Sequence, residues 1–350
     1  MSRMSDLTRA KVLLYLTLIP SILLIAVYAS NFIGERWFST KGTPIVIKTE
    51  TGAEIQGQME GSPQPGRTVI ILPDPGLDRA FNSRAVKSNT GDELAGAILA
   101  LRPDVAVIRY DQRGTGRSPG DSRMTSLDML RNDLVAFAAK ATGKTTIIAH
   151  GDSCATALYA RRQLKVDQWI LVSCAYSGTL LENWAQRFFQ NMENSGVDQK
   201  TISRCKSEWA DWNAALDLIL SARERPAVIP AQDGDSPDLL VFREALRELA
   251  WERREWTRQA AGFKVLASMQ EIKNVSIFWP EYDLVMPASD RAAMSRSKVG
   301  PLIRPLPQSE FFLLQTDKPH RALVERVMFF KSPFTRVNAA AIQTIASSIQ

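Results

Sequence analysis

Histidine is scarce in this chain: two in 350 residues, His150 and His320. Any chemistry that needs an imidazole base therefore has only two choices. Cysteine is nearly as rare. Cys154, Cys174 and Cys205 are too few for a disulfide framework, and their spacing matches no zinc motif. Cys154 and Cys174 fall on expected core elements and read as buried free thiols. There is no low-complexity tract and no internal repeat. The net charge of +6 is modest and spread along the chain, with no basic stripe interleaved with aromatics. Nucleic acid is therefore not an expected partner. Nothing in the pattern calls for a metal or an organic cofactor.

Long apolar runs are absent with one exception. Residues 12–33 carry no charge and are almost wholly apolar, with Arg3, Arg9 and Lys11 before them. That length spans a bilayer, and the preceding cations favour a cytoplasmic N-terminus with the rest of the protein outside the cytoplasm. The alternative is a signal peptide, since Val27-Tyr28-Ala29 resembles a small-x-small cleavage site, which would leave a secreted or periplasmic protein.

Beyond residue 37 the pattern is that of a folded α/β protein. Apolar β-branched runs at 45–47, 68–72, 105–110, 145–150 and 168–174 alternate with helical segments at 93–101 and 126–141. Such alternation predicts a mostly parallel, doubly wound sheet that binds ligands at the carboxyl ends of its strands. An initial hairpin is expected around Thr51-Gly52. Residues 180–266 break the alternation; they are helical, charged and rich in tryptophan, and read as an inserted cap. Strand patterns resume at 275–279 and near 302. The expected organisation is an N-terminal signal or anchor (1–37), a sheet core in two parts (38–179 and 267–335), the helical cap (180–266) and a loosely attached C-terminal tail (336–350).

The chemistry centres on Gly151-Asp152-Ser153-Cys154-Ala155, between the strand ending at His150 and the helical run from Thr156. A serine on a sharp strand-to-helix turn with small flanking residues is how an α/β-hydrolase presents its nucleophile. A serine hydroxyl needs a base, and that base needs an orienting carboxylate. His320 lies in a loop before an expected helix, whereas His150 sits on the nucleophile strand and reads as a packing residue. Asp283 follows the 275–279 strand, with Asp290 as a fallback that suits helix capping better. The order Ser153, Asp283, His320 is the order expected of α/β-hydrolases. The backbone N–H groups of Cys154 and of Asp74 (or Gly76) are the expected oxyanion donors, because Pro73 and Pro75 have none. The Asp111–Ser118 loop has neither G-K-[ST] nor a dinucleotide-binding setting and reads as a structural turn pinned by Asp111 and Arg113.

These residues resemble the proline iminopeptidase branch of the α/β-hydrolases. Tyr110–Ser118 resembles that family's D-Q-R-G-x-G-R-S segment, and 280–287 its G-R-Y-D-x-x-C-P acid segment. Pro319–Ala322 resembles its G-H-S-A histidine segment, 151–156 its G-G-S-W-G-S elbow, and 209–213 its W-x-x-W-E cap motif. The resemblance implies the α/β-hydrolase fold with an inserted helical cap. It implies acyl-enzyme hydrolysis of an amide or ester in a small-molecule or short-peptide substrate, of aminopeptidase type. It also implies substrate contacts at Trp209, Trp212, Asn213 and Glu248. Two departures bear on this. Leu72–Gly76 stands where the family has H-G-G-P-G, and Asn213 stands where a glutamate meets the substrate's ammonium. A carboxylesterase- or lipase-like enzyme, or a non-catalytic scaffold that binds a ligand or partner, is the alternative expectation.

Overall fold

The computed structural model describes residues 42–50, 52–82, 88–174, 177–225, 234–283, 288–298, 300–317 and 336–350. The expected membrane span (12–33) and His320 lie outside the described residues. Among those that are described, no helix is long and apolar enough to cross a membrane.

The described residues begin with the expected hairpin, β1 (Thr43–Lys48) against β2 (Glu54–Gly61), paired antiparallel. β2 joins β4 (Val105–Tyr110) antiparallel. The remaining strands are parallel: β3 (Arg67–Leu72), β5 (Lys144–His150), β6 (Gln168–Val172), β7 (Val275–Pro280) and β8 (Ile303–Leu306). Together they make one eight-stranded sheet in the order β1-β2-β4-β3-β5-β6-β7-β8. β3 and β4 are buried at every position, as parallel strands covered on both faces must be.

Side chains alternate between the faces with period two. Ile70, Leu72, Ile108, Tyr110, Ile147 and Ala149 join one apolar cluster, while Val69, Ile71, Val105, Val107 and Ile148 join the other. On the first face lie α2 (Leu127–Ala138) and α3 (Ser153–Ala160); Ser126 caps α2 by accepting from the Met129 N–H at 3.1 Å. On the second lies α1 (Thr90–Leu101), whose Leu94, Ala95 and Ile98 are buried.

Between β6 and β7 the chain is helical: α4 (Leu180–Asn194), α5 (Gln199–Ala214), α6 (Leu216–Ser221), α7 (Pro237–Ala250), α8 (Arg254–Gly262) and α9 (Val265–Met269). α4 starts at a reciprocal capping box between Thr179 and Glu182. α7 starts with Pro237 behind the Ser236 cap. Their inward residues, among them Leu181, Phe189, Phe242, Leu249 and Trp256, continue the first cluster. This is the α/β architecture read from the alternation of strands and helices. α10 (Ala288–Ser295) follows β7.

The C-terminal residues differ from the loosely attached tail read from sequence. α11 (Ala339–Ser347) buries Ala341, Ile342, Ile345 and Ala346 in the second cluster, beside α1. Arg102 donates to the Ile349 carbonyl at 3.1 Å and Gln168 to that of Ser348 at 2.7 Å. Its apolar residues at three- and four-residue spacing bury a stripe, and the backbone ties hold the end.

Candidate functional site

β5 stops at His150 and α3 starts at Ser153, so the nucleophile turn is Gly151-Asp152. Gly151 has φ of 60°, and a Cβ there would stand 2.1 Å from Asp74 Oδ1 and 2.9 Å from Phe311. Both the left-handed backbone and the close packing require glycine. The Asp152 N–H donates to Asp74 Oδ1 at 2.6 Å, so the side chain of the β3 loop props the turn from beneath.

Ser153 is fully buried. Its hydroxyl donates to the Pro73 carbonyl and accepts from Gln112 Nε2 at 2.9 Å. The same Gln112 amide donates to Pro73 O at 2.8 Å. Sequence reading missed Gln112 as a site residue, although its D-Q-R-G-T-G-R-S segment directly follows a strand. The loop around it is the pinned turn that was expected. Asp111 accepts from the N–H groups of Arg79 (3.0 Å) and Arg117 (2.9 Å), and Arg113 grips Asp133 through two 2.7 Å bonds. Gly116, at φ 50°, leaves room for the Asp111 carboxylate 2.4 Å from where a Cβ would be.

The two expected oxyanion donors differ in their engagement. The Cys154 N–H closes a turn onto the Gly151 carbonyl at 3.2 Å, while the Asp74 N–H donates to no described residue. Asp74 also brings a carboxyl group. Its pKa is pushed up to about 8, by burial first and then by the Asp152 and Asp283 carboxylates, against the pull of Arg187. Arg187, from α4, forms a 2.6 Å ion pair with Asp152 Oδ2, so a helix of the inserted segment is tied to the residue beside the nucleophile.

Asp283 is buried directly after β7. Its charge is felt by Asp74 and also by Glu310, whose pKa is pushed up to about 8, mainly by burial. Glu310 accepts from the N–H groups of Phe312 (2.8 Å) and Leu314 (3.1 Å). Three carboxyl groups from three strand ends thus converge on the elbow side of the sheet. His320 lies outside the described residues. His150 is a packing residue: it is buried, stands among Phe81 and Phe311, and bonds the Phe311 carbonyl through Nε2 at 2.6 Å. Burial lowers its pKa to about 4, which keeps the ring neutral. Asp290, on α10, accepts from the Ser177 hydroxyl and N–H, and its charge is felt by Arg187.

In the helical segment, Trp209 and Trp212 stack at 5.4 Å, and Trp184 packs on Trp209 at 6.0 Å. These indoles, with Asn213, make no hydrogen bond or ring contact with the residues around Ser153; the tryptophans pack against the core. Glu248 lies near Arg253, which feels its charge and donates its backbone N–H to the Glu248 carbonyl at 2.8 Å.

Cys154 and Cys174 are not separate thiols. They form a disulfide with Cα atoms 5.7 Å apart, joining the residue after the nucleophile to the loop beyond β6; Cys205 stays free and buried. The free-thiol reading failed because a separation of 20 residues along the chain hides the adjacency of two neighbouring parallel strand ends. Among the described residues no group of three or more His, Cys, Asp or Glu side chains could hold a metal ion.

No family model and no curated sequence matches the chain. Among solved structures, it is similar to an esterase of Pyrococcus furiosus at 14% identity and TM-score 0.46, covering 88% of this chain and 91% of that one. An α/β hydrolase of Sphaerobacter thermophilus shares 16% identity at TM-score 0.45, covering 87% and 100%. An esterase of Exiguobacterium antarcticum shares 16% identity at TM-score 0.44, covering 76% and 90%. At such identities and scores the chemistry of this chain rests on its own residues.

Proposed function

We propose that this chain is a serine hydrolase that opens a carboxylic ester or amide of a small substrate through an acyl-enzyme. The observation that carries the reading is Ser153 at the β5–α3 turn, on a glycine-only backbone and already hydrogen-bonded by Gln112. Ser153 Oγ attacks the carbonyl carbon while His320 takes its proton. The negative oxygen that forms is received by the N–H groups of Cys154 and Asp74. His320 then protonates the leaving alcohol or amine as its bond to the acyl carbon breaks. Water, deprotonated by the same imidazole, releases the acid and restores Ser153. Asp283 orients the imidazole and stabilises its charged form.

Ester cleavage is favoured over the aminopeptidase activity implied by resemblance. Asn213 lacks the charge that would pair with a substrate ammonium, and Glu248 stands beside a cation of the protein itself. The proposed setting is outside the cytoplasm behind an N-terminal anchor, where a disulfide such as Cys154–Cys174 persists.

The test is labelling of folded protein with a fluorophosphonate. An adduct on Ser153, absent from Ser153→Ala, supports the reading; an unreactive Ser153 in folded protein overturns it. A panel of short aryl esters against aminoacyl arylamides then decides the bond class.

A further inference from the structure

Most buried arginines among the described residues have carboxylate partners, while Arg67 donates instead to the Thr146 hydroxyl at 2.6 Å. Arg187 pairs with Asp152 at 2.6 Å, Arg113 with Asp133 at 2.7 Å, and Arg243 with Asp235 at 2.6 Å and Glu208 at 2.7 Å. Arg109 pairs with Glu60 and Asp92. A guanidinium leaves water at a cost that ion pairs and hydrogen bonds offset. Arg253 breaks the pattern. It sits between α7 and α8, half-buried, and has no ion pair with any described residue. Its Nε is sealed from water without an acceptor.

What holds Arg253 in place is an indole. Its guanidinium carbon lies 4.2 Å from the Trp256 ring centroid, and Trp256 is itself buried. Stacking on a ring fixes the plane of the guanidinium without using its N–H donors, which leaves the fork available. The surroundings link it to the elbow. Arg253 feels the charge of Asp152, the neighbour of Ser153, together with Glu248 and the opposing Arg187. Asp152 is already committed to Arg187 at 2.6 Å. Neither Asp152 nor Glu248 forms an ion pair with Arg253, and burial works against the charge on its guanidinium.

We propose that Arg253 receives a carboxylate carried by the substrate, so that the site takes esters or amides of anionic compounds in preference to neutral isosteres. This rests on the hydrolase reading of Ser153. A carboxylate fits the guanidinium fork through two parallel charge-assisted hydrogen bonds, which Trp256 holds in register. It supplies the anion that the fold leaves out, and reverses the charge preference expected from an aminopeptidase-like cap.

Two measurements test it. In the first, glutarate is titrated against Ser153→Ala protein by tryptophan fluorescence, with and without Arg253→Met and Arg253→Lys. Arg253→Met is expected to weaken binding about tenfold or more, with Arg253→Lys intermediate and added salt weakening the parent protein. In the second, an aryl monoester of glutaric acid is compared with the aryl ester of valeric acid. The kcat/KM preference for the anionic ester should fall by about tenfold in Arg253→Met while the neutral ester changes little. Glutarate binding that is absent, or equal with and without Arg253, overturns the proposal even where Ser153 turns over neutral esters. Binding through Arg253 in a protein whose Ser153 is unreactive supports the anion site and overturns the hydrolase reading alone.

Discussion

Gln112 Nε2 lies 2.9 Å from Ser153 Oγ and 2.8 Å from the Pro73 carbonyl that the same hydroxyl bonds. The side chain of the loop after β4 thus fixes the serine on the turn after β5 by direct hydrogen bonds. Replacing Gln112 by Ala removes one buried bond to the hydroxyl and leaves Pro73 O with one donor fewer. The expected result is a fall in kcat of about fivefold with the fold retained, since one such bond contributes about 1 kcal/mol. Ester turnover and circular dichroism on Gln112→Ala check this, and turnover equal to the parent protein would show that Gln112 does not position Ser153.

Gly151 and Asp74 occupy space that cannot be shared once a Cβ is added. Gly151→Ala is expected to cost about 1–3 kcal/mol from the left-handed backbone alone, with a further loss as the Asp74 carboxyl is displaced. The second part is separable. In the Asp74→Ala background the same substitution should cost less, because the clashing oxygen is gone. A double-mutant cycle by urea unfolding measures the difference. Equal costs in both backgrounds would mean that the carboxyl does not set the glycine requirement.

Much of this was legible in the residues. The β-branched runs at 68–72, 105–110 and 145–150 became β3, β4 and β5 because a strand buried on both faces needs an unbroken apolar run. The elbow was visible because small residues flank Ser153. Two relationships were hidden. The Cys154–Cys174 bridge and the Asp74 prop beneath Asp152 join segments that only strand order brings together. The helical segment was the least legible part. Trp184, Trp209 and Trp212 pack on one another and, partly buried, against the core, an arrangement that their spacing along two helices did not show.

The buried carboxyls make stability depend on pH in an unusual direction. Asp74 and Glu310 are both pushed up to about 8, chiefly by burial, whereas unfolded Asp and Glu titrate near about 4. The folded state therefore holds their protons more tightly than the unfolded state does. Their contribution is fully present below about pH 4 and is lost as pH rises through about 8. Asp74→Asn and Glu310→Gln mimic the protonated forms, so their melting temperatures relative to the parent protein should rise between pH 5 and pH 8. His150, lowered to about 4 by burial, acts in the opposite sense on all three proteins and cancels in the comparison. A pH-independent difference in melting temperature would contradict the assignment.

Cys154 supplies both a backbone N–H beside Ser153 and one sulfur of the bridge to Cys174. A cross-link closing a loop of about this length stabilises by about 3 kcal/mol, so Cys174→Ala should lower stability by that order. Alkylation of the unfolded, unreduced protein should label one thiol, Cys205, and label all three cysteines after reduction. Three labelled thiols without reduction would mean that the bridge does not form. Reduction should also lower ester turnover in protein that remains folded, because the loop beyond β6 no longer anchors the first turn of α3. In Cys174→Ala a reductant should then have no further effect on turnover, which separates loss of the bridge from any action on Cys205.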